Sequence, residues 1–284
     1  MTAARWNKLA IIAGGGDLPI NILSACQSRG EDVHIIRISG SADQSMAQLP
    51  GEEYQIGEAG KILKSIKEHR CDGVVFVGNV RRPDFSSLRV DWRGAVLLPK
   101  VVASAMRGDG AILKLLVEVI EAEGLCVVGA EQVMASLAAP QGALGRYRPN
   151  QAQMRDIVKA GDVINALGPF DIGQGVVIHD GFVLAIEAAE GTDLMLARCT
   201  EGPVASVKGK GGVLVKKPKP GQEMRVDLPV IGPETVKRAV AASLDGIAFE
   251  AGCSLIIDSV KVIKLCDDAG LYLYGFSQLD LEKT

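Results

Sequence analysis

The sequence predicts an α/β protein in two parts: an N-terminal parallel sheet wound with helices, then a C-terminal α+β part with a mixed sheet. Three observations predict it. Short apolar runs alternate with helix-period segments up to residue 129. The stretch AAPQGALGRYRP at 138–149 is rich in Gly and Pro and has no clean period. Beyond it, short strands and an Asp-Gly turn replace the alternation. The expected boundaries are 1–137 for the first domain, 138–149 for a linker and 150–284 for the second domain. A chain of 284 residues fits that division, at roughly 100–200 residues per domain.

Leu9 to Ala13 is an apolar run ending in glycines, as a buried parallel strand would be. Asp17 is placed to cap the next segment, where Pro19 suits a first turn and Ile20, Ile22, Leu23 and Cys26 share a face. Val33 to Ile38 is a second strand. Ala59 to His69 repeats the helical period through Ile62, Leu63 and Ile66, and Gly73 to Gly78 is again a strand. Residues 110–123 carry the strongest helix signal, and Leu125 to Gly129 closes the series. In the second part a helix is expected over 150–167. Val176 to Glu187 reads as two strands around Asp180-Gly181. Further strands fall at 213–216, 247–250, 254–257 and 271–274, and Gly232-Pro233 opens a helix reaching Leu244.

Composition narrows the function classes. The 31 Lys+Arg and 34 Asp+Glu are spread evenly, so no basic face calls for nucleic acid. Six cysteines, no two closer than 13 residues, lack any CxxC and read as reduced core residues. The three histidines show no HExxH-type spacing. Five apolar residues before the first glycines are too few for a signal peptide, and no run reaches the ~18 needed to span a bilayer.

Four motifs carry chemistry. The turn Gly14-Gly15-Gly16-Asp17 joins a strand to a helix, where backbone N–H groups and the helix start can meet an anion. It is not the dinucleotide fingerprint: Pro19 occupies the third glycine position, and Arg37-Ile38-Ser39 ends the second strand without an acid. Gly78-Asn79-Val80-Arg81-Arg82 follows another strand, where a parallel sheet presents its ligand edge. Asn79 offers hydrogen bonds there, and the arginines can grip phosphate. Asp171 and Gln174 precede a dense acidic group, Glu187, Glu190 and Asp193, with Thr192 among them. Such oxygens suit Mg²⁺, and Thr192 and Asp193 also suit a helix cap. Finally, five lysines fall in the twelve residues 208–219, with no acid between them. Arg225 and Asp227 follow on one face if that piece is extended. Lysines beside a base–acid pair fit phosphoryl chemistry, and a solvated cationic loop is the plainer reading. There is no GxSxG elbow, so covalent catalysis is not indicated.

The motifs Ala13 to Pro19, Gly78 to Pro83, Asp171 to Gln174, Glu187 to Asp193, Gly212 to Lys216 and Asp227 to Pro233 together resemble the LpxI-type UDP-2,3-diacylglucosamine pyrophosphatases of lipid A synthesis. The resemblance runs from about Leu9 to Phe276. Glu223 departs from it, standing where an Asp is expected. It implies a Rossmann-like N-terminal domain, a C-terminal domain of unusual topology, and a substrate between them. It implies Mg²⁺-assisted water attack on UDP-2,3-diacylglucosamine, giving UMP and 2,3-diacylglucosamine 1-phosphate. By the same resemblance Asp227 is the essential acid, holding metal or orienting water, with Glu187, Glu190 and Asp193 as secondary acids. Lys216 and Arg225 neutralise the pyrophosphate. Gly14, Gly15, Asn79, Gln174, Thr192 and Asp193 are substrate-binding candidates, and Asp227, Glu187 and Glu190 metal candidates. The expected setting is cytoplasmic, with peripheral contact at the cytoplasmic face of the inner membrane; for that contact the residues themselves offer Lys217 and Lys219, left over from the clamp, to meet anionic lipid. A homodimer is compatible with the sequence. The competing readings are a non-catalytic nucleotide-sugar or lipid binder and a nucleotide-dependent oxidoreductase.

Overall fold

The apolar runs at the start of the chain become neighbouring strands. In the computed structural model, which describes residues 6–41, 46, 50–80, 88–200, 211–277 and 280, β1 (Leu9–Ala13), β2 (Val33–Ile38), β3 (Glu52–Tyr54), β4 (Gly73–Val77) and β5 (Cys126–Val128) form one sheet. Its order is β3-β2-β1-β4-β5, and every pair is parallel. All five residues of β1 are buried, which explains a run with no polar alternation. The crossovers are α1 (Leu18–Ser28), α2 (Ala59–Glu68), α3 (Trp92–Ala105) with α4 (Asp109–Glu121), and the short α5 (Ala130–Val133) follows β5. Asp17 stands at the N-cap position of α1, but its side chain makes no capping bond; Pro19 in the first turn does suit the helix start. Helix α3 was not expected, because Pro99 lies inside it. Asp91 caps it, accepting from the Gly94 N–H at 2.7 Å. The cysteines are free, and four are buried; Cys126 departs from the expected core placement and is exposed.

Two of the distant histidines do meet. The His34 and His69 rings stack at 3.6 Å, nearly parallel. The Ser65 hydroxyl donates to Glu52 at 2.6 Å, so His34 Nε2, 2.7 Å from the same oxygen, carries the hydrogen and donates to it. Donor atoms of His34, Glu52 and His69 lie within 4.8 Å of one another. Parallel rings cannot aim both lone pairs at one ion, so this is a hydrogen-bonded knot joining β2, β3 and α2. Burial, then the His69 charge, pushes the His34 imidazole below its ordinary value, against the opposing pull of Glu52. A depressed folded value means that the unfolded chain binds the proton more readily. The knot's contribution is therefore complete above pH ~6.5 and is lost as pH falls below it. Thermal melts from pH 7.5 to 5.5 should show a decline that His34→Gln flattens. Parallel curves for the two proteins would refute this.

The chain divides into the units Met1–Ala135 and Ser136–Thr284. The second is built on six strands in the order β6-β13-β11-β9-β7-β8: β6 (Gly142–Leu144), β7 (Gly175–His179), β8 (Phe182–Ile186), β9 (Val213–Lys216), β11 (Gly246–Glu250) and β13 (Tyr272–Phe276). β9, β11 and β13 are parallel, whereas β6, β7 and β8 join antiparallel, so the sheet is mixed. The β7–β8 turn places Asp180 and Gly181 both at positive φ, the geometry that an Asp-Gly pair favours. The stretch expected as a linker supplies β6, paired to β13, and belongs to this sheet. The expected strand over 254–257 is β12 (Leu255–Ile256), which pairs outside the main sheet with β10 (Val230–Ile231). Among the described residues four α-helices pack here: α6 (Gln151–Leu167), α7 (Gly191–Arg198), α8 (Pro233–Ala241) and α9 (Ser259–Ala269). Asn150 begins α6 by accepting from the Gln153 N–H at 3.0 Å, and Gln153 returns the bond to the Asn150 N–H at 2.9 Å. Val177, Leu214, Ile247, Phe249 and Leu273 form one core face, and Val176, Val213, Val215 and Ala248 form the other.

Candidate functional site

In the first unit, the strand order turns between β1 and β4, and their carboxyl ends are where such a sheet admits ligands. The glycine turn and Asn79 lie there together. Gly14 N–H donates to Val77 O at 2.8 Å, Gly15 N–H to Asn79 O at 2.8 Å, and Asn79 N–H back to Gly15 O at 2.9 Å. The amides of Gly14 and Gly15, expected to face an anion, are thus engaged with carbonyls. The glycines serve the close approach of two loops. A Cβ on Gly14 would stand 2.4 Å from the Asn79 carbonyl oxygen. Gly14→Ala should cost about 1–3 kcal/mol in urea unfolding, as overpacking does; an unchanged midpoint would contradict this. Asn79 itself is exposed. Arg81 and Arg82 lie outside the described residues.

The chemistry of the second unit centres on Lys216. It ends β9 inside the fold, only 4% exposed. Its ammonium donates to Thr192 Oγ1 at 2.8 Å and to the Val230 carbonyl at 3.2 Å. The Thr192 hydroxyl in turn donates to Glu187 Oε1 at 3.0 Å. Desolvation lowers the lysine's affinity for its proton, and Glu187, Asp193 and Asp227 oppose it by charge. One buried cation thus gathers four of the expected site residues: Glu187, Thr192, Asp193 and Asp227. Thr192 is not a helix cap; α7 starts after Glu190, which makes no side-chain capping bond.

The other expected residues are placed differently. Residues 223–227 turn rather than extend, with the Val226 and Asp227 N–H groups both donating to Glu223 O. Arg225 forms a two-pronged pair with Glu223, each contact 2.8 Å, so the carboxylate that departs from the expected Asp fixes the arginine. Gln174 Oε1 accepts from Gln222 Nε2 at 3.2 Å, and the same Gln222 nitrogen donates to the Asp227 carbonyl. Gln222 is the residue sequence reasoning missed; only a folded turn reveals it as the bridge. Glu190 pairs with Arg198, and Asp193 lies 3.4 Å from Arg238.

The lysine run is not an open clamp. Lys208 and Lys210 lie outside the described residues. Lys217 is buried, donating to Asn165 at 3.0 Å and standing 3.6 Å from Glu250. Lys219 pairs with Asp171. Neither of these two is presented to a lipid surface, contrary to expectation.

Glu187 Oε2 is buried and, among the described residues, has no hydrogen-bond partner. It faces Gly175, where a Cβ would stand 2.5 Å away. A shielded carboxylate oxygen with no donor is a hard ligand of the kind Mg²⁺ takes. Glu187 Oε2 is one such ligand; among the described residues Glu187, Glu190 and Asp227 do not gather their oxygens within 4.8 Å of one another, so water and phosphate would have to complete a divalent ion's shell.

A wound parallel sheet followed by a mixed-sheet unit, with a lysine sunk among carboxylates, defines a two-unit α/β protein suited to anionic ligands. Comparison with known proteins makes this specific. The chain belongs to the LpxI family: residues 8–137 match the LpxI N-terminal domain and residues 140–274 the LpxI C-terminal domain. It is 46% identical over 272 residues to the UDP-2,3-diacylglucosamine pyrophosphatase LpxI of Caulobacter vibrioides, a span covering 94% of this chain and 97% of that protein.

Proposed function

We propose that this chain hydrolyses the pyrophosphate bond of UDP-2,3-diacylglucosamine, adding one water and yielding UMP and 2,3-diacylglucosamine 1-phosphate. The observation that carries the reading is the likeness to the Caulobacter enzyme over nearly the whole of both chains. The Lys216 network supports it. A diphosphate brings negative charge, and a buried ammonium with its orientation fixed by Thr192 and Val230 can meet that charge without reorganising. Arg225 is held in place by the Glu223 carboxylate, so it presents a positioned guanidinium rather than a free positive charge. Asp227 orients the attacking water or takes its proton, and Gln174, tied to the same turn through Gln222, helps to place the substrate.

Mg²⁺ belongs to this reading, with Asp227 and Glu187 as its protein ligands. Glu190, already paired with Arg198, is the weakest of the three candidates. When bound, the ion would neutralise charge on the phosphates and favour hydroxide over water. Purified protein given the UDP-lipid should release UMP, and EDTA should stop it, with Mg²⁺ restoring it. Saturable binding with no UMP under any divalent ion would leave a binding protein instead.

Among the described residues, no helix is long and apolar enough to cross a membrane. A diacylated substrate resides in a lipid surface, so the reading includes a cytoplasmic protein that touches the membrane peripherally.

A further inference from the structure

Helix α3 turns apolar residues outward. At ~100° per residue, Trp92, Val96, Pro99, Val102 and Met106, with two alanines among them, occupy one arc of roughly 120°. All are exposed, Trp92 at 75%, Val96 at 63% and Met106 at 86%. The opposite side, with Gly94 and Ser104 buried and Leu97, Leu98 and Val101 half-buried, seats the helix in its unit. Solvent-facing residues on a helix are normally polar, so an exposed apolar arc of this length marks an interaction surface.

The charges indicate what covers it. From Trp92 to Arg107 there are three cations and no acid. Arg93, Lys100 and Arg107 fall together within the next ~40° along one border of the apolar arc. Arg93 pairs with Glu123. Among the described residues Lys100 has no ion pair, and Arg107 donates to Ser104 Oγ at 3.4 Å and has no ion pair either. A second copy of the chain would bring this face the same apolar arc and the same cations, with nothing to neutralise them. An anionic lipid surface supplies both missing parts, an apolar layer and phosphates above it. An aromatic residue at one end and cations along one edge are the features of a helix lying in a membrane interface.

We propose that the outward face of α3 docks on a bilayer containing anionic phospholipid, with the apolar arc at the acyl boundary and Lys100 and Arg107 at the headgroup phosphates. The proposal rests on the functional reading above only in that the substrate is a lipid; the binding itself needs no turnover.

The sequence holds two tryptophans, so Trp6→Phe makes Trp92 the sole reporter. With vesicles of phosphatidylglycerol and phosphatidylethanolamine, Trp92 emission should move to shorter wavelength and the protein should sediment with the lipid. With phosphatidylcholine vesicles both effects should be much smaller. Val96→Asp/Met106→Asp should weaken partitioning by at least about tenfold. Lys100→Gln/Arg107→Gln should weaken it by about 30-fold on anionic vesicles. Both variants should keep the parent circular dichroism and the parent rate of UMP release from substrate in detergent micelles.

Equal sedimentation of parent and variants, or none for the parent, would overturn the proposal. A raised KM for micellar substrate in Val96→Asp/Met106→Asp would overturn it in favour of an acyl-chain groove. A parent dimer that the variants dissolve, without vesicle binding, would overturn it in favour of a second copy. Failure of the hydrolase reading would show separately, as no UMP in micelles from any protein while partitioning is unaffected.

Discussion

Asp227→Ala should lower kcat for UMP release by about 10²–10⁴, the range expected when a group positioned for proton transfer is lost. The turn that carries Asp227 is held by the Glu223 carbonyl and by Gln222, through backbone groups that the substitution keeps. The protein should therefore still fold and bind substrate, and the loss should fall on kcat rather than KM. Asp227→Asn separates charge from shape. It keeps the side-chain outline, removes the base, and should be nearly as inactive. Single-turnover UMP release together with equilibrium binding measures both quantities. A normal kcat in Asp227→Ala would remove this residue from the reaction and require another acid near Lys216 to take its place.

Lys216→Met should lower both stability and activity. The methionine fills similar space but leaves the Glu187 carboxylate buried beside Thr192 without its cation. Removing one member of a buried charged set typically costs about 3–5 kcal/mol, because the remaining charge stays desolvated. The double variant Lys216→Met/Glu187→Gln should recover a large part of that loss, since it removes both charges. A denaturant-unfolding cycle of the two single variants and the double variant reads the coupling directly. Simple additivity would mean that the lysine and Glu187 do not share an electrostatic site. Activity should stay low in Lys216→Met and in the double variant, because both lack the buried cation that would meet the diphosphate.

The parts of the fold legible in the sequence were those where one physical rule dominates. A strand buried on both faces needs an unbroken apolar run, and β1 and β4 have one. A type I′ hairpin turn needs positive φ twice, and Asp180-Gly181 announces it. Helix α3 was hidden for the opposite reason: its apolar residues are distributed around the helix, and Pro99 argues against a helix interior. Of the site, the residue types around Lys216 could be named, because a lysine ending an apolar strand and acids ending another are conspicuous. Their partners could not. That Lys217 and Lys219 are neutralised within their own unit depends on Asn165, Glu250 and Asp171, tens of residues away. That Gln222 joins Gln174 to Asp227 depends on a turn with no glycine or proline between 222 and 227 to signal it. Charge runs state composition, and only tertiary structure decides which charges remain available.

Strand β6 bears on how this protein can be taken apart. Gly142 to Leu144 lie against β13, and just before them Ala139 exchanges backbone bonds with Ser254 and Gly252. A fragment begun at residue 150 would leave the rim of β13 uncovered, its peptide groups open to pairing with neighbouring molecules, a familiar origin of insoluble material. Recombinant halves of this chain are better cut close to residue 136, so that the latter half keeps its own border strand.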